Sequence, residues 1–429
     1  MLNTRAPRGT VDILPHEVVW WHHLKNVAEQ VCCDYGYQEI VTPLFEHTEL
    51  FVRTSGETSD IVTRQMYTFS DGSGRSLTLR PEGTPGVGRA YLEHKMYAQP
   101  QPTKMYYFGP MFRYERPQAG RQRQFHQFGV EVFGSDSAIA DAETMLCGVE
   151  YLSRLGLREL SVQVNSIGCT GCRPAYREAL ISYLKDRADT LCEDCSRRLA
   201  ANPLRVLDCK NDRCKDASRG APVTLDYLCS ECSEHFGQLR SVLDRRAIEY
   251  SVDPNLVRGL DYYTRTVFEF TSGKIGAQSA VFGGGRYDGL IESLGGTRTP
   301  GVGWALGLER LIMVLRSEGI VPPPRKQLGV YILTSGQSAE QGFLLTEELR
   351  RSCVSAEMDL LGRSFKSQMK QADRLGAKFA LFVGEDEIRT GQATVRRMQD
   401  GTQTSVPLEG VVRWLATQLT EHDARSDDK

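Results

Sequence analysis

The sequence has no apolar run of the roughly 18 residues that a membrane-spanning helix needs, so no contact with a bilayer is expected. Its opening, MLNTRAPRGTVDILPHEVVWWHH, lacks the apolar core of a secretory signal, which makes the cytoplasm the expected location. Charge of one sign is also missing: 52 Lys and Arg stand against 54 Asp and Glu, a net of −2. A chain that met nucleic acid over its whole surface would be basic, so any such surface must be a local patch. Nothing follows the pattern G-x-x-x-x-G-K-[ST]. The glycine run Gly283-Gly284-Gly285 is therefore not a P-loop, although backbone without Cβ atoms lets a ligand approach closely.

What is present is ordinary globular composition, 40% hydrophobic and 25% charged, over 429 residues. That length exceeds one ordinary core and implies two or three domains. Residues 1–320 read as one α+β unit, with helical patterns at 16–35 and 138–155 among short β-branched and aromatic strands. The strongest linker signal is EGIVPPPRK (318–326), whose three prolines favour an extended spacer and place a linker at 321–327. Beyond it, strands (328–334, 378–383, 392–398, 403–407) alternate with helices (338–351, 364–375, 409–419), which predicts a small α/β domain over 328–420. The charged end, 421–429, is expected to fray.

Twelve cysteines are many for a chain without an export signal. Cys32, Cys33, Cys147 and Cys353 are scattered and read as core or incidental thiols. The others cluster as Cys169/Cys172, Cys192/Cys195, Cys209/Cys214 and Cys229/Cys232, within a polar, turn-rich stretch (about 165–235) that looks like an inserted subdomain. Paired spacings of this kind favour metal over disulfides in a reducing compartment, and eight thiolates could close two tetrahedral zinc sites. The role would be structural, helping a stretch that buries little apolar surface to fold. Incidental thiols are the competing reading, and the spacing leaves open which four cysteines share an ion.

The segment YYFGPMFRYERPQAGRQRQFHQFGVEVFG (106–134) carries the most chemistry. Its halves alternate as strands around a polar loop, Arg116–Gln124, so it reads as an antiparallel hairpin. By parity Arg113 and Glu115 share one strand face, and Gln127 and Glu131 share another. Charged groups on half-buried faces need a reason. The loop offers Arg116, Gln118, Arg121 and Arg123 and no acid, which suits phosphates and base edges.

This segment resembles motif 2 of class II aminoacyl-tRNA synthetases, and RPQAGRQRQFHQFG resembles its histidine-specific form. YGYQEIVTPLFEHTELF (35–51) resembles motif 1, with Pro43 at the dimer interface, and GVGWALGLERL (301–311) resembles motif 3. TLRPEGT (78–84) resembles the amino-acid-binding loop, while LVRGLDYYTRTVFE (256–269) and GGGRYDGL (283–290) resemble the two histidine signatures. The chain is thus identified as a member of the histidine–tRNA ligase family over essentially its whole length. The resemblance implies a catalytic domain on an antiparallel sheet with flanking helices, a small insertion, a C-terminal anticodon-binding domain and a homodimer.

It further implies that histidine, ATP and Mg2+ give histidyl-adenylate, and that tRNA(His) then takes the histidine. By the same resemblance Arg113 and Arg258 are catalytic, Arg113 on the α-phosphate and Arg258 opposite it. Glu131 and Tyr263, with Tyr262 beside them, would hold the imidazole, while Glu82, Thr84 and Gln127 would take the backbone end of histidine. Arg310 would stack on adenine beside Gly284 and Gly285. Arg116, Gln118, Arg121 and Arg123 would contact the acceptor stem, and no DNA partner is implied. Arg389, Arg396 and Arg397 are candidates in the anticodon-binding domain. Other readings are a regulatory paralogue of ATP phosphoribosyltransferase that only binds histidine, an RNA-sensing pseudo-synthetase, and a synthetase of another specificity. The intact arginines and full C-terminal domain argue against the first, the synthetase plan's use of all 429 residues against the second, and the histidine signatures against the third.

Overall fold

A computed structural model describes residues 4–56, 59–272, 280–324 and 327–427. Its contacts divide the chain into Met1–Pro323 and Pro324–Lys429. Among the described residues no helix is long and apolar enough to cross a membrane.

The first unit is built on eleven strands: β1 (Gln38–Glu39), β2 (Phe45–His47), β3 (Tyr67–Ser70), β4 (Ser76–Leu79), β5 (Thr103–Phe112), β6 (Gln124–Phe133), β7 (Ser161–Ser166), β8 (Tyr250–Val252), β9 (Thr264–Thr271), β10 (Ala280–Arg286) and β11 (Gly301–Gly307). Eight form one sheet in the order β1-β5-β6-β11-β10-β9-β7-β8, and β2-β4-β3 form a smaller one. The large sheet is antiparallel except where its edge strands β1 and β8 join in parallel. This is the α+β fold expected from the sequence.

Strand parity divides the large sheet into two unlike faces. On one, Tyr106, Phe128, Val130, Val132, Trp304, Leu306, Phe268, Phe270, Val162 and Val164 meet apolar residues of helices Val18–Asp34, Ala138–Arg154, Ser230–Arg245 and Leu308–Ser317. On the other, the central strands carry Gln127, Gly129 and Glu131 opposite Gly303, Ala305 and Gly307, and then Gly283 and Gly285. Small residues in register across three strands hollow a trough in that face.

Between β7 and β8 lies the insertion. The expected turn-rich, weakly cored stretch is instead mainly helical, with helices at Arg173–Lys185, Glu193–Ala201, Leu204–Leu207 and Asp212–Ser218. It has its own apolar core around Tyr176, Leu180, Leu184 and Val206. Alternating Tyr and Leu at helical spacing carried this signal, which the surrounding polar residues obscured.

The second unit has β12 (Val330–Thr334), β13 (Ala356–Met358), β14 (Phe379–Val383), β15 (Gln392–Arg397) and β16 (Gln403–Pro407), in the order β13-β12-β14-β15-β16. The final helix, Val411–Asp427, runs well past residue 419, through most of the stretch expected to fray. Linker residues 325–326 and the last two residues, 428–429, lie outside the described set.

Candidate active site

A cavity of about 560 Å³ opens over the trough. Strand β6 delivers Gln127 to it, the loop before helix Thr84–Glu93 delivers Glu82, the helix itself delivers its first residue, Thr84, and the segment before β9 delivers Arg258, Tyr262 and Tyr263. Tyr107, Tyr287, Glu269, Arg113, Arg121 and Arg310 also line it.

Two buried carboxylates stand at the cavity: Glu82 lines it, whereas Glu131 lies behind the lining residues Thr84 and Tyr287 and does not. Thr84 Oγ1 donates to Glu131 Oε1 at 2.6 Å, and the Tyr287 hydroxyl donates to Glu131 Oε2. Burial pushes the Glu131 carboxyl up to about 8, against the opposing pull of the Thr84 and Tyr287 hydrogen bonds. Glu82 accepts from Ser55 Oγ at 2.6 Å and from the Tyr262 hydroxyl at 2.8 Å, and burial raises its pKa as well. Thr84 thus supports Glu131 while also lining the cavity beside Glu82. The Gln127 Oε1 and Tyr107 hydroxyl atoms are buried without a hydrogen-bond partner. The Gln127 acceptor on the cavity wall is a group a polar ligand would satisfy, while the Tyr107 hydroxyl stands near Thr84 and Glu131.

Arg258, Arg113 and Arg310 also face the cavity. Arg258 forms an ion pair with Glu269 over the floor at Gly283, and its Nε is buried without a partner. Arg113 Nε donates to the Pro81 carbonyl at 2.8 Å, and its guanidinium carbon lies 5.2 Å from the Phe125 ring centroid. The parity argument for Arg113 and Glu115 fails, because β5 stops at Phe112 and both residues follow its end. Arg310 donates to the Ala280 carbonyl at 3.0 Å from the first turn of helix Leu308–Ser317.

The glycine run behaves differently from its sequence-based reading. Gly283 lines the cavity, whereas Gly284 and Gly285 do not. A Cβ on Gly284 would lie 2.0 Å from the Gly303 carbonyl, and one on Gly285 would lie 2.5 Å from the Thr266 carbonyl and 3.0 Å from Tyr263. Gly284 thus permits close strand pairing, and Gly285, on the trough face, leaves room for Tyr263 rather than for a ligand. Of the motif 2 loop, Arg121 reaches the wall and lies 3.6 Å from Glu115, an acid just outside the loop. Arg116 and Gln118 are exposed, and Arg123 stacks 4.1 Å over Tyr114.

Sequence reasoning missed Tyr107, Tyr287, Glu269, Asp208 and Lys210. Tyr287 stands inside GGGRYDGL, and Tyr107 has the parity of the trough face. Asp208 and Lys210 come from the insertion, which nothing in their own neighbourhood connects to the sheet. Arg286, which also belongs to that signature, is fully buried. It donates to Asp141 at 2.6 Å and to Asp288 at 3.0 Å, and His235 Nε2 lies 2.7 Å from the other Asp141 oxygen.

An antiparallel sheet carrying paired arginines above a small-residue floor, followed by a separate α/β unit, is the architecture of a class II aminoacyl-tRNA synthetase. A family model described as histidyl-tRNA synthetase matches residues 9–311, and one described as anticodon binding domain matches 329–418. The chain is 53% identical over 416 residues to the histidine–tRNA ligase of Desulforamulus reducens, covering 97% of this chain and 99% of that one. It is 52% identical over 412 residues to the histidine–tRNA ligase of Halothermothrix orenii, covering 96% and 98%. The solved apo histidyl-tRNA synthetase of S. aureus superposes with a TM-score of 0.83 at 39% identity, over 96% of this chain and all of that one. The chain belongs to the histidyl-tRNA synthetase family.

Proposed function

We infer that this chain joins L-histidine to tRNA(His) at the expense of ATP. The carrying observation is near-full-length identity of about half to histidine–tRNA ligases. A histidine carboxylate oxygen attacks the α-phosphorus of ATP, the bond to the β-phosphate breaks, and pyrophosphate leaves. The ribose hydroxyl of tRNA then attacks the adenylate carbonyl and releases AMP. The protein's task is to hold two anions together and to offset charge on the phosphorus oxygens.

Each site residue enters this reading in a stated role. Arg113 binds the α-phosphate, Arg258 meets the reacting centre from the opposite side, and Arg310 covers the adenine. Glu131, supported by Thr84 and Tyr287, accepts from the imidazole with Tyr263 beside it. Glu82 and Gln127 take the α-ammonium, and Tyr262 holds Glu82. Gly283 replaces Gly284 and Gly285 as the glycine facing ATP. Mg2+ would neutralise the leaving pyrophosphate; among the wall carboxylates, Glu115 and Glu269 are already paired with Arg121 and Arg258, and Asp208 is a further oxygen donor. A pocket that hydrogen-bonds both ring nitrogens rejects apolar analogues without editing.

Arg116, Gln118, Arg121 and Arg123 are assigned to the acceptor stem, and the second unit to the anticodon. There Arg389 is exposed and Arg396 Nε is buried without a partner. The division into a catalytic domain (1–320), linker (321–327) and anticodon-binding domain (328–420), together with a cytoplasmic location, belongs to the same reading. So does the homodimer. Val41, Leu44 and Phe45 surround Pro43 and are exposed, Val41 by 82%. Structural Zn2+ on the eight cysteines completes it.

The test is ATP–pyrophosphate exchange across the twenty amino acids. Exchange driven by histidine alone is expected. Histidine binding without exchange would move the chain to the regulatory class.

A further inference from the structure

The cavity wall formed by Asp208 and Lys210 comes from the insertion, and these residues flank Cys209. The eight clustered cysteines gather into two groups, Cys169/Cys172/Cys229/Cys232 and Cys192/Cys195/Cys209/Cys214, with all ligand atoms of a group within 4.8 Å of one another. The pairing is nested: the first pair meets the fourth, and the second meets the third. Sequence spacing had left this open.

The sulfur geometry identifies the ligand class. Cys169 and Cys172 Sγ are 3.6 Å apart, and Cys192 and Cys209 Sγ are 3.9 Å apart. A disulfide needs about 2.05 Å. Four sulfurs placed tetrahedrally about 2.3 Å from one zinc ion stand about 3.8 Å from each other. An iron–sulfur cluster would divide its four cysteines among two or four irons and spread some of them further apart. Backbone amides complete the shells: Cys229 N donates to Cys172 Sγ at 3.1 Å, and Cys192 N donates to Cys214 Sγ at 3.2 Å. Such bonds orient thiolate ligands.

The two groups do different mechanical work. The outer group closes the neck of the insertion. The inner one clamps both ends of the stretch from Cys195 to Cys209, which carries the contacts to the catalytic unit. Within that stretch Arg198 Nη2 donates to Asp60 at 2.9 Å, and Asn202 Nδ2 donates to Asp261 at 2.7 Å. Arg205 donates to Asp60 at 3.2 Å and to the Arg258 carbonyl at 3.4 Å. Asp208 then reaches the cavity.

We propose that the insertion holds two four-thiolate Zn2+ sites, and that the inner ion is a positioning device for the active site. It fixes the Cys195–Cys209 stretch, which in turn supports the backbone at Arg258 and sets the Asp208–Lys210 wall. The kinetic consequence rests on the histidine-activating reading. The metal content and the structural coupling do not.

The test uses the full-length chain. Elemental analysis should give two zinc per chain. Cys169→Ser/Cys229→Ser should lose one ion, and Cys192→Ser/Cys214→Ser should lose the other. In the inner variant, amide hydrogen exchange over 202–210 and 256–262 should quicken at least tenfold, and in the outer variant it should not. Pyrophosphate exchange should show a raised KM for histidine or ATP in the inner variant only. Should the inner variant fail to fold, Cys214→His keeps four ligands and should restore both zinc and protection. Absence of zinc, iron in its place, or disulfides in the native mass would overturn the sites. Unchanged protection over 256–262 after loss of the inner ion would overturn the coupling, whether or not the chain activates histidine.

Discussion

Arg258 and Glu269 are ion-paired across the cavity floor, with the guanidinium lying over Gly283 so closely that a Cβ there would come within 2.5 Å of Nη1. The cation is therefore held in place before substrate arrives, with its Nε still free to donate. Arg258→Ala should reduce pyrophosphate exchange by about 10²–10³, the usual loss for one preorganised donor to developing charge. Histidine binding by calorimetry should change little. Lost binding with intact exchange would contradict the role.

Neighbouring glycines should respond in opposite ways. At Gly283 the obstacle is the end of a flexible side chain, so Gly283→Ala should fold normally and lose exchange activity by displacing Arg258. At Gly284 the obstacle is the Gly303 carbonyl at 2.0 Å, with Trp304 Cβ at 2.6 Å. Gly284→Ala should therefore destabilise the sheet by a few kcal/mol, as overpacking does. Equal melting temperatures for the two variants would refute this distinction.

Glu131 gives the site a pH dependence. Burial raises its carboxyl to about 8, so the unliganded site holds a neutral group at lower pH. Accepting a ring N–H favours the ionised form, so KM for histidine should fall as pH rises from about 6.5 to about 8.5. The folded value lies above the ordinary 4.5, so the stability this group contributes is fully present below that value and is lost as pH rises through about 8. The loss is at most about 1.4 kcal/mol per unit between the two values. Glu131→Gln should remove the slope and gain melting temperature against the parent at high pH. Parallel curves of melting temperature against pH would exclude it.

Arg286 should prove structural despite standing in a histidine signature. Its guanidinium and Asp141 are both fully buried and joined at 2.6 Å. Arg286→Ala strands Asp141 and should cost about 3–5 kcal/mol. A stable variant lacking only activity would show that the cluster serves catalysis instead.

Much of this was legible in the sequence because the large sheet obeys parity. Gln127 and Glu131 were placed correctly by counting residues along one strand, and β6 is long enough for the count to hold. Arg113 was misplaced because the strand ends one residue earlier, and hydrophobic alternation does not mark such an end. Gly284 and Gly285 were misread for a related reason. A glycine run signals close approach, but only register tells whether ligand or neighbouring strand approaches. The grouping of the cysteines and the reach of Asp208 depend on how the insertion folds back, which spacing along the chain does not encode.

Strand β7 ends at Ser166, and its parallel neighbour β8 begins only at Tyr250. To the folding chain the insertion is a long slack tether whose ends must find each other before that edge of the sheet can close. A clasp between Cys169–Cys172 and Cys229–Cys232 leaves roughly a quarter of that tether free, which lowers the entropy of closure by about 1 kcal/mol. The same thiolates that shape the finished lobe would then act earlier as a gathering stitch, letting the sheet edge assemble almost as a local event.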